Sequence, residues 1–238
     1  GQDQREVIAE EFADLSAKIQ ITGNPRFDLL RPELRSFYEE EVLALNEQFG
    51  RVILLNTSFS FANSANEPDA LRRTFSQYPI NTEQPDFFDG WMEAQRKVML
   101  SMEAVLPEIR DRFPDHTIII RPHPSEDLGF WRGLVADLPK IHVLREGNVV
   151  PWILAADVLV HWNCTTAIEA TILGVPAIAY KTERFDTYEQ PLPNACSFDA
   201  YSAEDLLDKI TQAVSGQLAA SVSERQVRDE VLNHHVVS

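Results

Sequence analysis

The sequence predicts an α/β fold: a doubly wound parallel sheet with helices on both faces. Short apolar or β-branched runs, Val52–Leu55, Thr117–Ile120, Ile141–Leu144, Asp157–Val160 and Val175–Tyr180, have the length of strands covered on both sides. Between them lie segments whose apolar residues recur every three or four positions, the period of an amphipathic helix. Strand–helix alternation builds parallel sheets, and right-handed crossovers leave few topologies. Polar and basic residues gather just after the strands, where such sheets bind ligands.

The 238 residues suffice for one large domain or two small ones. A content of 44% hydrophobic and 24% charged residues is that of a globular protein. No apolar stretch approaches the length that spans a bilayer. Lys and Arg number 21 against 37 Asp and Glu, a net charge of −16, which argues against a general nucleic-acid binder. Two cysteines, Cys164 and Cys196, are too few for a disulfide framework and fit a reducing, cytoplasmic compartment. The six histidines include His234 and His235; none stands at zinc-ligand spacing, so no metal is expected. The sequence has no internal repeat and no glycine-rich phosphate loop.

In chain order, residues 3–18 predict a short helix, with Val7, Ile8, Phe12 and Leu15 spaced by three or four. Ile19 to Ile21 lead into Thr22-Gly23-Asn24-Pro25, a turn signal. A second helix is predicted over 32–49, begun by Pro32 and stopped by Gly50. After the strand Val52–Leu55, residues 91–112 predict a long helix with Trp91, Ala94, Val98, Met102, Val105 and Ile109 on its apolar face. Thr117–Ile120 is a strand, Leu128–Leu138 a helix, Ile141–Leu144 a strand and Val149–Ala155 a short helix. Asp157–Val160, Thr165–Leu173 and Val175–Tyr180 read strand, helix, strand, punctuated by Gly174 and Pro176. Ser202, with Asp205 three residues on, caps a helix over Ala203–Val214, and Glu224–Leu232 predicts a last one. Residues 56–90, rich in Asn, Ser, Pro and Gln, are long for a connection; they form either a lid or binding loop, or a plain surface insertion. Leu71–Phe75 has the pattern of a helical turn within them.

This order outlines a Rossmann-like sheet, so the residues after each strand are the candidates for chemistry. Asn56, Thr57 and Ser58 follow the first strand and serve a ligand or simply the turn. Arg121-Pro122-His123-Pro124 follows the second. An arginine fork suits phosphate oxygens, and two prolines stiffen the mount of His123, so phosphate contact is the expected role. Arg145, Glu146, Gly147 and Asn148 follow the third strand, as a base or ribose loop or as a polar turn. His161-Trp162-Asn163-Cys164-Thr165-Thr166 follows the fourth and opens a helix. Free N–H groups and the helix dipole favour an anion there, and two hydroxyls add donors; plain N-capping is the alternative. Glu169, four residues after Thr165, faces ribose hydroxyls or solvent. Cys164 has no nucleophile motif around it and reads as a small buried residue.

Three stretches then carry a resemblance. Ala155-Ala156-Asp157-Val158-Leu159-Val160, Thr165-Thr166-Ala167-Ile168-Glu169-Ala170 and Gly174-Val175-Pro176-Ala177-Ile178 resemble the donor-nucleotide half of GT-B glycosyltransferases. Arg121-Pro122-His123-Pro124 resembles the His-Pro motif of bacterial capsule and lipopolysaccharide transferases, among them Kdo transferases, polysialyltransferases and CDP-glycerol glycerophosphotransferases. Ile21-Thr22-Gly23-Asn24-Pro25-Arg26-Phe27-Asp28-Leu29-Leu30-Arg31-Pro32-Glu33, with Ile53-Leu54-Leu55-Asn56-Thr57-Ser58-Phe59, is similar to surface carbohydrate biosynthesis proteins, which include retaining β-Kdo transferase modules. The similarity runs from about residue 20 to about residue 215. Trp162 departs from the pattern.

The resemblance implies the C-terminal half of a GT-B architecture, with no cofactor beyond a donor nucleotide sugar, CMP-Kdo first. Arg121 and His123 would hold the donor phosphate and stabilise the leaving group, Thr165 and Thr166 would match the family's hydroxyl pair, and Glu169 would bind ribose. Asn56, Thr57, Glu146 and Asn163 complete the expected nucleotide site. Residues 1–20 form a leading helix and linker, 21–216 the donor-binding domain and 217–238 a C-terminal helix and tail. The Gly-Asn-Pro-Arg motif normally begins the second domain, so the acceptor domain, with the catalytic carboxylate, is expected outside this chain. Alone, the chain should bind nucleotide and transfer little sugar. Its partners would be the donor and, through the missing domain, a glycan or glycolipid acceptor. No basic amphipathic helix offers peripheral membrane attachment, which would lie outside this chain. The alternatives are a CDP-alcohol phosphotransferase, a UDP-GlcNAc 2-epimerase-like domain and a non-catalytic nucleotide-binding module.

Overall fold

The computed structural model describes residues 2–21, 25–65, 73, 84, 86–220, 225, 226 and 229. Six strands, β1 (Arg51–Asn56), β2 (His116–Arg121), β3 (Ile141–Val143), β4 (Ala156–His161), β5 (Ala177–Tyr180) and β6 (Phe198–Ala200), form one sheet. Their order is β3-β2-β1-β4-β5-β6 and every pair is parallel. This is the doubly wound, Rossmann-like order. The chain winds outward from β1 in one direction and from β4 in the other, which opens a crevice between them at the strands' carboxyl ends.

The helices are α1 (Gln2–Glu11), α2 (Pro25–Asp28), α3 (Glu39–Phe49), α4 (Phe87–Arg112), α5 (Leu128–Leu134), α6 (Val149–Ala155), α7 (Thr166–Leu173), α8 (Pro191–Ala195) and α9 (Ala203–Val214). Successive strand residues point to opposite faces, so β1 divides its side chains between two cores. Ile53 and Leu55 pack with Val98 and Met102 of α4, Trp131 of α5 and Ile210 of α9. Val52 and Leu54 pack with Ile153 of α6, Ala167 and Ala170 of α7, and Leu45 and Phe49 of α3. Helices α4, α5 and α9 thus cover one face and α3, α6 and α7 the other.

Several predicted elements change. The helix expected over 3–18 breaks at Phe12 into α1 and a 3-10 turn over Ala13–Lys18. Val7, Ile8 and Phe12 remain exposed, so no packed face supports a longer helix. The one over 32–49 begins as a 3-10 turn, Pro32–Tyr38, and ends at Gly50 with φ +67°. The helix expected to reach Leu138 stops at Leu134. Helix α8 and strand β6 were not predicted, being too short to show a period. Leu71–Phe75, Glu224–Leu232 and the Thr22-Gly23-Asn24 turn fall largely or wholly outside the described residues. Among the described residues no helix is long and apolar enough to cross a membrane.

Ser202 caps α9 as expected, its hydroxyl accepting from the Asp205 N–H at 3.1 Å. Ser202→Ala should lower stability by about 1 kcal/mol in urea unfolding.

Candidate functional site

A cavity of about 390 Å³ opens over the carboxyl ends of β1, β2 and β4. The loop after β1 contributes Ser58, Ser60 and Phe61, and the loop after β2 contributes His123 and Ser125. The β4–α7 turn adds Trp162, Asn163, Cys164 and Thr165. Trp91 and Gln95 of α4 and Gln190 complete the lining. Three of the nine predicted nucleotide-site residues, His123, Asn163 and Thr165, line this space. The other six lie beneath it or beside it.

The β1 and β2 loops are fastened by a residue that sequence reasoning missed. Glu126 is 1% exposed. Its Oε1 accepts from the Thr57 hydroxyl at 2.7 Å, the Phe59 N–H at 3.0 Å and the His123 N–H at 3.1 Å. Its Oε2 accepts from the Trp131 indole at 2.9 Å and Asn63 Nδ2 at 3.4 Å. The His123 ring is exposed, with Nδ1 3.0 Å from Ser60 Oγ and 2.7 Å from Ser125 Oγ. Nε2 has no hydrogen-bond partner among the described residues. Thr57 therefore supports the site from below.

Arg121 is placed differently from the expectation. It lies outside the cavity lining, and its guanidinium donates to the carbonyls of Arg145, Glu146 and Gly147 at 3.0–3.2 Å while lying over the Trp152 ring. In that position it holds the β3–α6 loop. Arg145 returns the tie by donating to the Pro124 carbonyl at 2.8 Å. Glu146 is exposed, and its carboxylate accepts backbone N–H groups, its own and that of Arg145, which lowers its pKa.

At the β4–α7 turn, Asn163 adopts φ +52°, a left-handed conformation that Asn tolerates. Its side chain donates to the Tyr188 carbonyl at 2.9 Å and accepts from the Gln190 N–H at 2.9 Å and Asn194 Nδ2 at 3.2 Å. The 188–194 segment is thereby held against the cavity. The same segment meets α4 at Gly90, where a Cβ would stand 1.9 Å from Tyr188 Oη. Trp162, the departure from the family pattern, is 1% exposed and stacks on Phe59 with centroids 5.9 Å apart, closing the cavity floor.

The first turn of α7 closes partly on itself. The N–H groups of Ala167 and Ile168 donate to the carbonyls of Cys164 and Thr165. Thr166 is buried; its hydroxyl accepts from Asn56 Nδ2 at 2.9 Å and donates to Cys164 Sγ at 3.1 Å. Thr165 alone of the pair faces the cavity. Cys164 is half-buried, and burial raises its pKa, so it remains a thiol. Glu169 is 1% exposed and pairs with Arg26 of the Asn-Pro-Arg segment. Its Oε2, like Asn56 Oδ1, is a buried acceptor without a partner among the described residues.

His161 ends β4 beneath the turn. Its Nδ1 accepts from the Cys164 N–H at 3.3 Å, and Nε2 lies 2.8 Å from Ser197 Oγ, which itself donates to the Pro193 carbonyl at 2.7 Å. The ring must then carry its proton on Nε2. Burial first, then the nearby Lys181 charge, lower its pKa to about 3.

No family model matches the sequence, and no curated protein is similar to it. Solved structures do match. A variant of the wall teichoic acid polymerase TagF covers 98% of this chain at 13% identity with a TM-score of 0.57. Another TagF structure gives 98%, 15% and 0.54. The UDP-GlcNAc 2-epimerase of Methanocaldococcus jannaschii, in complex with UDP-GlcNAc and UDP, covers 90% at 17% identity with a TM-score of 0.54. The chain shares its fold with GT-B enzymes. It spans about half the length of these structures, 51–55%. At these identities the likeness is one of fold alone.

Two outcomes check this geometry. Glu126→Ala leaves several buried donors unsatisfied and should cost about 3 kcal/mol or more in denaturant unfolding, with Glu126→Gln costing less. His161 stays neutral in the native state while the unfolded chain takes up a proton below about pH 6.5. Stability should therefore fall as pH drops from about 6.5 towards 3, by up to about 1.4 kcal/mol per unit. Urea titrations at pH 7, 6 and 5 should show a shallower fall for His161→Gln.

Proposed function

We propose that this chain is the donor-nucleotide-binding domain, residues 21–216, of a GT-B transferase in bacterial surface-glycan synthesis. It corresponds to the C-terminal half of such an enzyme, with the acceptor domain and its catalytic carboxylate outside the chain. The observation that carries the reading is the cavity at the β1/β4 crevice, where His123, Ser60, Ser125 and Thr165 bring imidazole and hydroxyl groups to one space. A donor phosphate seated between His123 Nε2 and the Thr165 end of α7 would meet an imidazole, a hydroxyl and the positive end of a helix dipole. As the nucleotide departs, the charge growing on its phosphate would be stabilised there by groups already in position. Glu169, the expected ribose contact, lies beside this space; its Oε2, like Asn56 Oδ1, is buried and without a partner among the described residues.

The first donor is CMP-Kdo or a related CMP-ulosonic acid, as the His-Pro and Gly-Asn-Pro-Arg motifs imply. A CDP-alcohol is the second, supported by the near-complete coverage of this chain by TagF, whose H444N variant also has a structure soaked with CDPG. The acceptor glycan or glycolipid, and any membrane attachment on the cytoplasmic side, would belong to the rest of the enzyme.

Calorimetric titration with CMP, CDP and UDP tests the reading. At least one should bind, and His123→Ala should weaken it about tenfold, the loss expected for one good hydrogen bond to a charged group. Binding by none of the three, or an affinity unchanged in His123→Ala, overturns it.

A further inference from the structure

One end of the cavity is aromatic. Phe61 and Trp91 are half-buried there, with ring centroids 4.7 Å apart and planes at 59°. Phe88 lies 5.6 Å from Phe61, and Phe87 lies 5.9 Å from Trp91. Gln95, one helical turn after Trp91, is buried. Its Oε1 accepts the N–H groups of Phe61 at 3.0 Å and Ala62 at 3.3 Å. Both bonds fix the rotation of the amide. Nε2, with its two N–H donors, is left without an acceptor among the described residues. Aromatic rings beside an oriented amide and the Ser60 hydroxyl suit a group with apolar C–H faces and many hydroxyls, a sugar or a polyol.

The topology says which part of a donor reaches this end. Phe61, Trp91 and Gln95 stand on the α4 face of the sheet. The candidates for the nucleoside stand on the opposite face: Glu169 on α7, Arg26 on α2, and the 145–148 loop that leads into α6. His123 and Thr165 lie between, at the sheet's edge. A donor with its nucleoside on the α6–α7 face and its phosphate at His123 and Thr165 directs its transferred group towards α4. Resting on the function proposed above, we infer that Trp91, Phe61 and Gln95 form the subsite for that group. The aromatic rings take the C–H face of its carbon skeleton, and Gln95 Nε2 donates to its hydroxyls.

The test compares each bare nucleotide with its conjugate on the full 238-residue chain: CMP with CMP-Kdo, CDP with CDP-glycerol, UDP with UDP-GlcNAc. For the nucleotide that binds, the conjugate should bind at least about fivefold tighter. Trp91→Ala and Gln95→Glu should each erase most of that advantage and leave the bare nucleotide within about twofold of wild type. Gln95→Glu keeps an acceptor for the Phe61 and Ala62 N–H groups and replaces the cavity-facing donors with a carboxylate oxygen, whose added charge is controlled for by the bare-nucleotide affinity. It stays informative if Trp91→Ala fails to fold, and a thermal melt identifies such a failure. The subsite is overturned if the wild type shows no conjugate advantage, if the advantage survives in the folded variants, or if bare nucleotide and conjugate weaken equally. Absence of binding by every nucleotide is a distinct result, and it overturns the domain reading itself.

Discussion

A buried carboxylate surrounded by neutral donors organises this site. Glu126 brings a formal charge into the interior, and five hydrogen bonds offset the lost hydration, none of them from a cation. The donors come from the β2 loop and α5, which follow one another, and from the β1 loop, 63–69 residues away in sequence. Backbone pairing reinforces the join, with the Ala65 N–H donating to the Ser125 carbonyl at 3.0 Å and the Asp127 N–H to the Asn63 carbonyl at 2.9 Å. The position of His123 is therefore not a property of the Pro-His-Pro segment alone. It depends on where the β1 loop lies, because both answer to the same two oxygens.

The positive charge near the site is largely engaged by the protein itself. Arg121 and Arg145 tie the β2 and β3 loops to each other through backbone carbonyls. Arg26 is paired with Glu169, and Lys181 is buried between Glu189 and Asp199. Burial alone would lower the Lys181 pKa, but its hydrogen bonds to the two carboxylates prevail and raise it. In a chain of net charge −16 these cations stiffen loops, and the cavity lining is left to hydroxyls, an imidazole, amides, aromatic rings and one helix end.

The strands and the longer helices were legible because burial on both faces imposes a pattern on sequence. The helices Val149–Ala155 and Ala203–Val214 have the bounds read from their caps and periodicity. The carboxyl ends of the strands were the place the fold class pointed to, and His123, Asn163 and Thr165 line the cavity found there. What stayed hidden depends on partners distant in the chain. Arg121 has the chemistry of a phosphate ligand, and only the fold reveals three carbonyls within its reach. Glu126 reads as a loop acid until five donors converge on it. Trp91 fits the apolar face of α4 in sequence, yet it lies at the end of the helix where the cavity opens.

The contact between Gly90 and Tyr188 gives the cavity an uneven rim. On that side the wall is fastened twice, by the ring against a residue with no side chain and by the three hydrogen bonds of Asn163. On the other side the β1 and β2 loops are held from beneath, by Glu126 and by the Ala65–Ser125 and Asp127–Asn63 backbone pairs, with the Ser60–His123 contact at the water-exposed lip. One wall is thus set by close packing at its rim and the other by hydrogen bonds at its root.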